Sequence, residues 1–208
     1  MSGLRVLGRA ASINVRKVLW TGVELGLDLA REDVDVKADA FRALNPNAMM
    51  PVLIDDAATS FSMWESNSIC RYLARREGRV DLLPDGHQER ALVEMWMDWQ
   101  GGELNNSWRY AFMATVRKSA QHQDAALIES GVANWNRHMA MLDGQLARSG
   151  GPFVLGDTFT LADVVLGLSA HRWRAAPIAH ADLPFVDAWY RRLLTRPGFA
   201  AHGPAAGP

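Results

Sequence analysis

The stretch NAMMPVLIDD, residues 47–56, places a proline at the head of a good strand core, Val52-Leu53-Ile54. Proline gives up a ladder donor, so a strand accepts it only at an edge, at its first residue or in a bulge. Pro51 is therefore expected to begin a strand rather than to lie inside one. A cis bond at X-Pro costs only about 0.5–1 kcal/mol, against ~2.5–4 elsewhere. Met50–Pro51 is expected to be cis, with the N–H and C=O of Met50 turned outward for an extended peptide to dock on. Shortly after comes WESNSICRYLA, residues 64–74, in which Glu65 and Ser66 stand where an apolar strand stops and a helix starts.

Outward from this point the first 77 residues alternate strand and helix signals. LRVLG (4–8) is short and apolar. Residues 13–25 carry Val15, Val18, Leu19 and Val23 at helical spacing. Ser12 or Asn14 can cap this helix and Gly26 suits its end. REDVDV (31–36) alternates as a half-buried strand does. DAFRALNP reads as a short helix stopped by Pro46, PVLID and SFSM as strands, and DAAT between them as a turn. Ser66 is expected to cap the helix that carries Ile69, Tyr72 and Leu73. The order is β-α-β-α-β-β-α.

Residues 78–86 contain two glycines and a proline and read as a linker. Residues 87–200 then look helical throughout. QERALVEMWMDWQ is amphipathic, with Leu92, Met95, Trp96 and Trp99 on one side, and Gly101-Gly102 should bend or interrupt that helix. Ile128, Val132, Trp135, Met139, Leu142 and Leu146 form a bundle seam. Thr160 and Asp163 fit a capping box, with Phe159 and Val164 as its hydrophobic staple. The last helix, about 184–195, buries Val186, Trp189, Tyr190 and Leu193. Residues 201–208, rich in Gly, Pro and Ala, are expected to form a flexible tail.

Composition excludes several classes of function. The chain of 208 residues is 49% hydrophobic and 22% charged, with a formal net charge of −1, so no nucleic-acid partner is indicated. Cys70 is the single cysteine, which rules out an internal disulfide and a dithiol site. The six histidines show no metal-ligand spacing, so no metal is expected. No apolar run is long enough for a membrane span and no leader is apparent, so the expected location is cytoplasmic.

The opening stretches share one chemistry. A helix N-terminus attracts a carboxylate, Ser66 adds a hydroxyl donor and Glu65 an acceptor for an ammonium. A carboxylate beside an ammonium is an α-amino-acid group. The constellation suits a small, extended, peptide-like ligand with a free amino-acid end. With this element order, Pro51 heading the third strand, Glu-Ser opening the third helix and FTLADV in an all-helical second half, the chain resembles a cytosolic glutathione S-transferase. SxNxxKV at 12–18, LNPN at 44–47, PVLID, WESNSICRYLA and WMDWQ point to a bacterial, serine-type, theta-like branch of that family.

The resemblance implies an α/β thioredoxin-like domain over 1–77, a linker over 78–86, and an all-α domain over 87–200. It implies that glutathione is the co-substrate, that Met50 meets its cysteinyl backbone beside Met49 and Pro51, and that Glu65 and Ser66 hold its γ-glutamyl end. Ser12, in the loop after the first strand, would donate to the sulfur, with Asn14 nearby. No tyrosine precedes Tyr72, and Cys70 lies inside a helix, so neither serves as the sulfur's partner. Ser12 also reads as a plain helix cap, and the two roles are compatible. Many relatives carry a lysine near the proline for the glycyl carboxylate. Here Met49 and Met50 stand there, leaving Lys37 or Arg9 for that role. Trp108, Arg109, Phe112 and Met113 are the expected walls of the electrophile pocket. A homodimer is implied, with the first domain of one chain on the helical domain of the other. The implied activity is conjugation to small hydrophobic electrophiles or reduction of hydroperoxides. The alternative is a non-catalytic protein on the same fold that binds hydrophobic ligands or other proteins.

The energetics suit direct thiolate attack. A thiol with a pKa near 8.5 is only a few per cent ionised at pH 7. Lowering it by about 2 units needs ~2.7 kcal/mol. One hydrogen bond to a charged group supplies ~1.5–3 kcal/mol and a helix N-terminus ~0.3–1 more.

Overall fold

The computed structural model describes residues 3–56 and 61–207. The first part runs β1 (Leu4–Leu7), α1 (Ile13–Leu25), β2 (Ala30–Glu32), α2 (Asp39–Leu44), β3 (Val52–Asp55), β4 (Phe61–Trp64) and α3 (Ser66–Arg76). Of the expected DAAT turn, all but Asp56 lies outside the described residues. The sheet order is β2-β1-β3-β4, with β1 parallel to β2 and the other pairs antiparallel. This is the mixed sheet of a thioredoxin-like domain. Pro51 stands just before β3, a central strand. Val52 is the first residue to pair, with Leu7 on one side and Trp64 on the other. The ladder thus loses no donor to the proline. The Met50–Pro51 peptide is cis.

Among the described residues, the second part consists of helices and loops with one bridge, between Phe153 and Gly156. It comprises α4 (His87–Trp99), a π-helical turn (Gln100–Leu104), α5 (Asn105–Thr115), α6 (Ala125–Ser149), α7 (Leu161–Ala175), α8 (Pro184–Leu193), α9 (Pro197–His202) and a 3₁₀ turn (Pro204–Ala206). The widened turn falls at Gly101-Gly102, where low helix propensity makes the departure from α geometry cheap.

Several expectations need correction. β2 stops at Glu32, and beyond it the Asp35 carboxylate accepts from the Lys37 N–H in a local turn. Val34 and Val36 still pack on Leu7, Phe41 and Val52, but from a loop. Val23 is 43% exposed, since it lies five residues past Val18 and so about 140° round the helix. The inner face of α4 carries Val93, Trp96 and Met97, while Leu92 and Met95 are exposed. A buried polar network, which hydropathy does not score, decides that face. Lys17 Nζ donates to Gln100 Oε1 at 2.7 Å and to Asn67 Oδ1 at 3.2 Å. Asn67 Nδ2 in turn donates to the Met97 carbonyl, and Gln100 Nε2 to Ser169 Oγ. These bonds tie α1 and α3 to the helical part. Burial pushes the Lys17 ammonium down to about 8.

Asp163 organises the start of α7. The capping box with Thr160 is formed, and Phe159 and Val164 are both buried. The Asp163 carboxylate also accepts from the Val154 N–H at 3.0 Å and from Trp189 Nε1 at 2.9 Å. One side chain thereby fixes α7, the loop before it and α8. Behind α7, Trp20 of α1 packs on Phe159 and Phe199. A Cβ at Gly198 would stand 2.3 Å from Trp20 Cδ1, so α9 can seat there only with glycine. Where the sequence reading put a flexible tail, α9 reaches His202, and the carbonyls of Gly203 and Gly207 accept from the buried Arg16.

Candidate active site

The loop between β1 and α1 forms the floor of the site. Gly8 opens it with φ +151, and a Cβ there would stand 2.6 Å from Val15 and 3.0 Å from Met50. Glycine lets this loop lie close against the segment before β3. The contact continues with the Arg9 N–H pointing at the Met50 sulfur, 3.3 Å away. Ser12 occupies the N-cap position of α1, with extended backbone angles, yet its side chain makes no capping bond. The half-buried hydroxyl remains open to a ligand.

The segment before β3 is shaped by Asn45. Its side-chain oxygen accepts from the Asn47 N–H, and its amide donates to the Met49 carbonyl at 2.6 Å. This is the asparagine turn chemistry that holds a loop without secondary structure. It presents Met49 and Met50. Neither backbone group of Met50 is taken by another backbone group among the described residues.

Glu65 is the N-cap of α3 and Ser66 its first helical residue, which corrects the expectation that Ser66 is the cap. Glu65 has φ +80, a region that a side chain other than glycine enters at a cost of ~1–3 kcal/mol. Such strain persists where the surroundings force it, here at the junction of β4 and α3.

Two adjoining cavities result. The larger, about 770 Å³, is lined by Arg9, Ser12 and Asn14 on one side and by Trp108, Arg109, Phe112, Met113 and Arg172 on the other. The smaller, about 50 Å³, is lined by Asn14, Asn45, Asn47, Met50, Pro51, Trp64, Glu65 and Ser66. Asn14, Met49 and Met50 border both and so join them. The structure thus brings together every residue singled out from the sequence except Lys37, which lines neither cavity. The sequence reading missed Asn45, Asn47 and Trp64, and also Arg117, His122 and Arg172. LNPN carried a signal for the asparagines as a turn. Arg172, near the end of a helix, reads as a partner for the helix dipole and gives no hint of its position.

Cys70 is fully buried in α3, and burial raises its thiol to about 11, so it cannot act as a nucleophile here. Among the described residues, no group of three His, Cys, Asp or Glu could hold a metal ion, and no helix is long and apolar enough to cross a membrane.

Comparison with known proteins agrees with this geometry. Residues 11–76 match the family model for the glutathione S-transferase N-terminal domain, and residues 125–192 the model for its C-terminal domain. The chain is 35% identical over 195 residues to glutathione S-transferase GstB of Escherichia coli, covering 91% of this chain and 92% of that one. It is 28% identical to glutathione S-transferase F13 of Arabidopsis thaliana, over 81% of this chain and 78% of the other. Among solved structures, the glutathione-bound theta class glutathione S-transferase of Xanthomonas axonopodis pv. citri superposes with a TM-score of 0.89. That match has 35% identity and covers 98% of each chain.

Proposed function

The chain belongs to the glutathione S-transferase family, and on that premise we propose how its own residues bind glutathione and activate it. The observation that carries the reading is the joined pair of cavities. One end offers an amino-acid clamp, Glu65 and Ser66, and the other an apolar wall, with the free Ser12 hydroxyl between them. Glutathione enters the smaller cavity with its γ-glutamyl end, the carboxylate at the start of α3 and the ammonium at Glu65, and extends past Met50 into the larger one. The cysteinyl backbone pairs with Met50, which brings the sulfur to Ser12 and the head of α1. The glycyl carboxylate falls to Arg9, since Lys37 lines neither cavity.

The thiol releases its proton to solvent, and the Ser12 O–H donates to the thiolate. The sulfur lone pair then forms a bond to the electrophilic carbon, expelling a leaving group or adding across a double bond. Attack on a peroxide oxygen is the same step with another electrophile. The alternative of a non-catalytic carrier is not favoured, because the relatives are transferases by name. Detoxification in the cytoplasm is the role this chemistry suits.

Ser12→Ala removes a charge-assisted hydrogen bond worth ~1.5–3 kcal/mol. The bound thiol's pKa is expected to rise by about 1–2 units and turnover at neutral pH to fall roughly ten- to a hundredfold. Glutathione affinity should change little. Thiolate absorbance titrated against pH, with steady-state rates, checks this. Unchanged values would transfer the role to Asn14 or to a backbone N–H of the 9–13 loop.

The working assembly is a homodimer. Phe61 and Trp64 of β4 and Leu92 and Met95 of α4 are all exposed, at 41–51%. The Phe61 ring packs at a tilt against Tyr72 of α3, and Arg71 of α3 bonds to the Glu94 carbonyl and the Asp98 carboxylate of α4. The exposed apolar residues therefore flank one connected surface that a second copy can cover symmetrically. Light scattering at micromolar concentration should give twice the chain mass. Charge substitution at Phe61 together with Met95 should give the monomer.

A further inference from the structure

The larger cavity has a charge that transferase chemistry alone does not require. Arg9, Arg109, Arg117 and Arg172 line it, with His122 and, among the described residues, no aspartate or glutamate. Three of these arginines are exposed, and exposed arginines alone would mean little. Arg172 is 6% exposed. Its guanidinium lies 4.5 Å from the centre of the Phe112 ring and 4.9 Å from that of Trp108. No carboxylate pairs with it among the described residues, and its buried Nε has no hydrogen-bond partner.

A buried charge is normally paired, because desolvation otherwise opposes it strongly. Two ring faces recover only part of that penalty. The nearest charges make matters worse: burial, then Arg16 and Arg117, pull the Arg172 guanidinium down to about 9. It is still a cation at neutral pH, and among the described residues its site holds no anion. Glutathione is a poor source for one. Its γ-glutamyl end is assigned to the smaller cavity, whose lining excludes Arg172, and its glycyl end to Arg9. Arg172 belongs to the opposite wall, between the aromatic residues that face the second substrate.

Resting on the transferase reading above, we propose that the electrophile carries an anionic group, a carboxylate or sulfonate. This group pairs with Arg172 while a flat apolar body lies against Trp108 and Phe112. The exposed Arg109 and Arg117 then draw such substrates to the cavity.

The test uses the full chain, glutathione, and two matched probes: a chloronitrobenzoate with chlorine ortho to the nitro group, and the corresponding benzamide. In each, the thiolate sulfur bonds to the chlorine-bearing carbon, the C–Cl bond breaks, and chloride leaves with its electron pair. The carboxylate or amide is untouched. Rates are divided by the uncatalysed rate with glutathione at the same pH. The expected result is a preference of about tenfold or more for the carboxylate, expressed in KM. Arg172→Gln should abolish the preference, Arg172→Lys should keep part of it, and the KM for glutathione should not move. Because Arg172→Gln can fail to fold, the two preformed conjugates are also titrated into the wild-type protein by calorimetry, where the carboxylate form should bind about tenfold more tightly. Equal normalised rates or equal conjugate affinities overturn the inference. So does a parallel loss on both probes in Arg172→Gln, or a raised KM for glutathione. Turnover of both probes without preference leaves the transferase reading standing, whereas failure to bind glutathione or to conjugate either probe overturns both.

Discussion

Asp163→Ala is expected to bring the protein to the edge of unfolding without touching either cavity. The carboxylate accepts four hydrogen bonds, from the N–H of Val154, the N–H and hydroxyl of Thr160, and the indole N–H of Trp189. Asp163 and Val154 are fully buried, and Thr160 and Trp189 nearly so. Alanine leaves at least three donors with neither partner nor water, at ~1–3 kcal/mol each. A loss of about 3–6 kcal/mol stands against a typical total of about 5–15. Asp163→Asn keeps one acceptor oxygen and should lose less. Urea midpoints for the three proteins, at constant slope, give the measurement. An unchanged midpoint for the alanine variant would mean that α7 holds its start without the box.

Glu65→Ala should act on the ligand and leave the fold alone. Glu65 is exposed, so its truncation removes little packing. Losing the acceptor for an ammonium in a partly enclosed site costs ~1.5–3 kcal/mol, which weakens glutathione binding roughly ten- to a hundredfold. The bound thiol's pKa should stay where it is, because Ser12 and the head of α1 are intact. The two variants therefore separate cleanly: Glu65→Ala lowers affinity at constant thiol pKa, and Ser12→Ala does the reverse. Calorimetry and thiolate titration on both proteins read this. A Glu65→Ala protein that binds glutathione as tightly as the wild type would remove the carboxylate from the clamp.

Most of this architecture is legible in the sequence because local signals agree with one another. Pro51, the Glu65-Ser66 junction, Gly26 at the end of α1 and the Thr160–Asp163 box each specify a boundary by steric or hydrogen-bonding rules that act over a few residues. The residues proposed for the site followed from those boundaries and from the family resemblance. Arg172 and Lys17 were not legible. Both are cations inside the fold, and a linear pattern assigns a charge to the surface unless something across the chain demands otherwise. What holds Lys17 is Asn67 and Gln100, far away in sequence. The same omission turned α4: Met97 faces inward because of that network, while Leu92 and Met95, by hydropathy the better candidates, face out.

The widened turn at Gln100–Leu104 has a geometric consequence for the cavity. Gln100, Leu104, Trp108 and Phe112 are all buried, spaced by four, four and four residues. On a uniform α-helix each such step slips about 40° round the axis, so the last would lie about 120° from the first. A turn holding more residues than usual takes up much of that slip. Gln100, at the seam with α1 and α3, and the aromatic wall around Arg172 can then share one side of a continuous rod. Were this turn to tighten to ordinary pitch, Trp108 and Phe112 would rotate away relative to Gln100 with no residue of the wall altered. The phase of the wall is thus set by two glycines at the seam of the fold, upstream of any side chain that a substrate would meet.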